Sequence, residues 1–104
     1  MNCARSILSI LVFSSVATLV TPAFAQDAAK GKVLFATCIQ CHGEKGDGNV
    51  EKRAPRLSGQ HDWYVVKQVT EIKSGVRKNP EMQPFVAKLS EQDIKDLAAY
   101  IITL

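Results

Sequence analysis

Apolar and polar residues recur with a helical period in three stretches of this 104-residue chain. The clearest is the C-terminal "SEQDIKDLAAYIITL", in which Ile94, Leu97, Ala98, Ile101 and Leu104 fall at three- and four-residue steps and gather into one stripe. Ser90 followed three residues later by Asp93 is a variant of the reciprocal capping box that starts a helix. Further back, "DWYVVKQVTEIKSG" puts Trp63, Val66, Val69 and Ile72 on one predicted face and closes on Gly75, a residue suited to a C-terminal cap. The third stretch, "DAAKGKVLFATC", offers Asp27 as an N-cap and aligns Gly31, Leu34, Phe35 and Cys38. A glycine inside a helix is unfavourable by about 1 kcal/mol relative to alanine. Gly31 therefore points to close approach by another backbone or ring, the alternative being a glycine that is merely tolerated.

The intervening segments read differently. Residues 43–60, "GEKGDGNVEKRAPRLSGQ", hold several glycines and Pro55 without a sustained apolar period, which predicts a long loop. Loops of that length inside a small domain usually wrap something or serve a function. "VRKNPEMQPFVAK" is broken by Pro80 and Pro84, so Met82 is expected in a loop rather than in regular helix or central strand. No alternating strand pattern, repeat or low-complexity tract occurs, and the chain reads as all-α with long loops.

The N-terminus follows another logic. Arg5 is the only charged side chain before Asp27, the run from Ile7 to Val20 is apolar apart from Ser and Thr, and Ala23 and Ala25 form an A-x-A site. Cleavage is expected after Ala25, leaving residues 26–104 as one exported, periplasmic domain. A retained membrane anchor is the alternative, but the run is shorter than the ~20 residues a spanning helix needs. Cys3 precedes the apolar run and leaves with it. The formal charge of +3 falls to +2 without Arg5, too weak a bias for a dedicated nucleic-acid binder.

A mature chain this short buries a thin core, and domains of this size often depend on a disulfide, a metal or a cofactor. Cys38 and Cys41 are the cysteines that remain, and a bridge between them would close too small a loop to stabilise much. With His42 they spell C-x-x-C-H, the attachment sequence for a c-type haem, in which two thiols add to the vinyl groups and the imidazole binds iron. Zinc would need further ligands, and His61 is the only other histidine. A thioredoxin-like pair would need a βαβ setting that is missing. Met82, the only methionine after the leader, is a candidate sixth ligand on the opposite side of the iron. Filling a core gap is the commoner fate of a methionine. His61 is the rival ligand, with a surface or capping role as its default.

"GKVLFATCIQCHGEKGDGN", "APRLSGQ", "YVVKQV", "IKSGVR", Met82 and "LSEQDIKDLAAYI" together resemble the class I cytochromes c. They are most similar to the short bacterial monohaem type that matches one half of a dihaem cytochrome c4, or a cytochrome c553. The resemblance implies a small fold of helices packed around one covalent haem c. In that fold Cys38 and Cys41 would form thioethers, and His42 and Met82 would be the axial ligands. It also implies a Pro55 carbonyl on the second nitrogen of His42, Gly31 and Phe35 crossing the last helix at Leu97 and Tyr100, and Tyr64 and Arg77 near the haem edge. One departure stands out: the c4 type repeats its module, and this chain has no second C-x-x-C-H.

The expected activity is not enzymatic. It is one-electron exchange between a larger donor and a larger acceptor, by a monomer that docks transiently through Lys52, Arg53, Arg56, Arg77 and Lys78, unless those charges are ordinary solvated surface. A haem protein with an open sixth site and a permanent dehydrogenase subunit are the rival readings.

Overall fold

The computed structural model describes Ala17 and residues 25–104. The leader expected over residues 1–25, with Cys3, lies almost wholly outside the described residues. The described chain runs as five helices: α1 (Ala28–Phe35), α2 (Ile39–His42), α3 (Asp62–Ser74), α4 (Gln83–Val86) and α5 (Glu91–Ile101). The only strand-like feature among these residues is an isolated antiparallel bridge between Asn49 and Ala54.

Asp27 caps α1 by accepting from the backbone N–H groups of Ala29 and Lys30. Ser90 and Asp93 complete the expected capping box on α5. Gly75 closes α3 at φ +80°, where its missing Cβ leaves the left-handed cap unstrained.

Two expectations change. The first helix ends at Phe35 and re-forms as α2 after a turn stabilised by the Cys38 N–H bond to the Phe35 carbonyl, 2.8 Å. That break releases Cys38 from the face it would share with Gly31 and Phe35. Gly31 and Phe35 stay buried, while Cys38 turns toward a cleft. On α3 the buried face is Val65, Val69 and Ile72, whereas Trp63 is 62% exposed. Trp63 leaves the stripe to stack beside His61, with ring centroids 6.0 Å apart.

The core joins Phe35, the buried face of α3, Val86 and the α5 stripe. Helices α1 and α5 cross at Gly31, where a Cβ would lie 2.0 Å from the Asp96 carbonyl oxygen and 2.9 Å from Tyr100 Cβ. The close approach read from the sequence is therefore real, and it falls on the carbonyl of the peptide that joins Asp96 to Leu97 and on Tyr100. Phe35 and Tyr100 pack as tilted rings, with centroids 5.4 Å apart.

Candidate functional site

A cleft of about 290 Å³ opens between α2, the loop after it, α3 and the 77–82 segment. Cys38, Cys41, His42 and Met82 all line it, so residues 44 apart in sequence between Cys38 and Met82 meet around one space. Its walls are largely apolar and include Leu57, Val65, Val69, Ile72, Val86, Leu97 and Ile101. The chain has built part of a core and left one side of it open.

The two thiols are free and half-buried. Burial pushes the Cys38 thiol up from its ordinary value, partly offset by a contact with the Thr37 hydroxyl. His42 is 4% exposed, and its Nδ1 lies 2.8 Å from the Pro55 carbonyl oxygen. A carbonyl can only accept, so Nδ1 is the nitrogen that donates to it, and Nε2 is the nitrogen left to face a metal. An imidazole held in this way is oriented and made more basic toward a metal.

The backbone bonds of the long loop place that carbonyl. Gly48 donates to the His42 carbonyl at 2.8 Å, and at φ +84° a Cβ there would meet the Ala54 oxygen and the Arg56 nitrogen at 2.8 Å. Glycine alone lets the chain fold back tightly enough to bring Pro55 over His42. Leu57 and Ser58 then donate to the Gly46 carbonyl and fasten the returning arm of the loop.

Met82 occupies the N-cap position of the single-turn α4, half-buried, with Pro84 in the first turn. The loop expectation is thus right for Met82 and too broad for the residues after it. Asn79, which the sequence pattern did not single out, accepts from the Met82 N–H at 3.0 Å through Oδ1. The Asn-Pro dipeptide at 79–80 is the turn signal that could have found it. Gln83 donates to the Lys73 carbonyl at 3.2 Å, and Lys73 Nζ bonds the Leu89 carbonyl, so the Met82 turn is tied to the end of α3.

Tyr64 and Arg77 line the cleft as expected, with Arg77 donating to Gln68 Oε1 at 2.6 Å. His61 does not. It sits exposed at the N-cap position of α3 without a side-chain capping bond.

A helical fold with a C-x-x-C-H helix facing an apolar cleft, and a bonded histidine inside it, defines a c-type haem protein. The chain belongs to the cytochrome c family, whose profile, described as Cytochrome c, matches residues 28–104. Cytochrome c4 of Azotobacter vinelandii is 44% identical over 68 residues, covering 62% of this chain and 32% of that protein. Cytochrome c-553 of Helicobacter pylori is 37% identical over 73 residues, covering 70% of this chain and 76% of that protein. The crystal structure of reduced recombinant cytochrome c4 from Pseudomonas stutzeri superposes with a TM-score of 0.67 at 37% identity, over 71% of this chain and 46% of that chain. The chain spans about a third of the length of the cytochrome c4 it matches from Azotobacter. The family's cofactor is a covalently held haem c, and Cys38 and Cys41 fit its attachment motif. The donor set, the apolar walls and the free imidazole nitrogen all suit that group.

Proposed function

We propose that the chain is an exported, monohaem electron carrier in which Cys38 and Cys41 would hold the haem and His42 and Met82 would ligate its iron. The observation that carries the reading is the convergence of those four side chains on one cleft, with His42 Nδ1 already committed to Pro55. The haem supplies a one-electron couple, and a thioether ligand raises its potential. The protein's own share is mechanical. Pro55 fixes the imidazole, Asn79 fixes the turn that presents Met82, and the apolar walls keep water from the metal.

The leader would be removed after Ala25, leaving residues 26–104 as one periplasmic domain. Among the described residues no helix is long and apolar enough to cross a membrane. Larger redox proteins would serve as donor and acceptor, meeting the monomer at the cleft mouth. Lys52, Arg53, Arg56 and Arg77 line that mouth, whereas Lys78 does not. Such docking predicts an electron-transfer rate that falls as salt screens the encounter.

The test is the optical spectrum of the mature protein. In the ferric state a weak sulfur-to-iron band near the red end is expected, and Met82→Ala should abolish it. A high-spin spectrum, with ready binding of carbon monoxide after reduction, would instead establish an open sixth site and overturn the carrier reading.

A further inference from the structure

The turn at residues 49–54 is built to present two cations in opposite directions. Asn49 and Ala54 exchange both backbone hydrogen bonds, at 2.8 and 2.9 Å, and the Asn49 side chain accepts from the Lys52 N–H at 3.0 Å. From this base Lys52 Nζ reaches back to the Gln40 carbonyl in α2, the helix that carries Cys41 and His42. Arg53 reaches the other way, across the cleft mouth, to the carboxylate of Glu81, the neighbour of Met82. Both Arg53 and Glu81 line the cleft.

The backbone adds an independent observation. Arg53 is the only non-glycine residue at positive φ among the described residues, at +52°. That region favours glycine or asparagine, and a long L side chain held there is disfavoured. Asparagine would suit the turn better, so the turn's own conformation does not account for an arginine. A guanidinium that spans the cleft does account for it.

From this geometry we infer that Arg53 and Glu81 are positioning residues. With Lys52 they brace the Met82 turn against the His42 helix and so favour Met82 over a competing ligand at the iron. The inference rests on Met82 being the distal ligand. The two ion-pair partners are exposed, so the pair holds the turn only modestly and less in high salt.

The experiment titrates ferric holoprotein at about pH 8, where imidazole is mostly neutral, with imidazole as competitor for the Met82 position, and follows loss of the sulfur-to-iron band. Glu81→Gln and Arg53→Gln should each tighten imidazole binding by about twofold to fivefold, the range an exposed ion pair can support. The double variant should add nothing to either single change. Wild-type affinity should approach the variants' values in high salt. Arg53→Asn separates bracing from turn formation, because it should match or exceed the wild-type melting temperature while binding imidazole as tightly as Arg53→Gln. Unchanged affinity in both single variants, or additive effects in the double, would overturn the brace alone. A wild-type protein without the sulfur band would overturn Met82 ligation itself, and the brace with it.

Discussion

The crossing of α1 and α5 and the cleft wall of α3 and α4 use the same kinds of apolar side chain to opposite ends. At the crossing, Gly31 lies against the Asp96 backbone, Phe35 meets Tyr100, and the chain closes on its own atoms. Asp96 is buried there and satisfied, accepting from the Asp27 N–H at 2.9 Å and Gln92 Nε2 at 2.8 Å, with Lys30 at 3.5 Å. Across the core, Val65, Val69 and Ile72 are buried from water yet face a cleft that no side chain fills. One half is a finished interface. The other is half of an interface, an apolar wall with room beside it.

The comparison predicts that changes at the crossing alter stability, and changes at the cleft alter ligation. The largest effect is expected from Gly31→Ala. A Cβ 2.0 Å from a backbone oxygen cannot be absorbed by a side-chain rotation, so the helices must separate, at a cost of about 3 kcal/mol or more. Denaturant unfolding of the holoprotein measures this, and the spectrum of the folded fraction should stay native. An unaltered midpoint would show that the crossing is looser than its geometry.

Next is Ile72→Ala, which removes a buried wall of the cleft and should cost about 2 to 4 kcal/mol. Unlike Gly31→Ala, it should also shift the haem absorption bands. Asn79→Ala follows. It deletes the cap on the Met82 N–H and should cost about 1 kcal/mol. That loss should appear mainly as easier displacement of Met82 by imidazole, with little change in global unfolding. A large drop in melting temperature without any change in ligand affinity would mean that Asn79 serves the fold and not the site.

The smallest effect is a pH dependence at the crossing. Lys30 Nζ lies 2.7 Å from Asp93, and this bond, with the Ser90 backbone and hydroxyl, lowers the Asp93 carboxyl from 3.8 to about 2. Asp96 is lowered too, chiefly by the Asp27 N–H and then by Gln92. Because the folded values lie below the unfolded ones, this stabilisation is complete above about pH 4 and is lost as pH falls toward about 2. Acid unfolding of Asp93→Asn should be shallower than that of wild type over that window. Equal slopes would place the acid sensitivity elsewhere.

Much of the molecule is legible in the amino-acid sequence. The C-x-x-C-H run states its chemistry by covalent spacing, and the Ser90–Asp93 box and Gly75 mark helix ends through bonds a few residues long. Gly31 announces a contact by what it lacks, and two prolines put Met82 in an irregular segment. All of these are local signals, fixed by backbone geometry over one or two turns. The tertiary structure decided the rest: the break that swings Cys38 off the Gly31 face, the rotation of α3 that buries Val65 and exposes Trp63, the burial of Asp96, and the reach of Arg53 to Glu81. Each depends on where a distant part of the chain returns. A helix's own period says that a face exists, while the partner it meets decides which face is buried and which charges find each other.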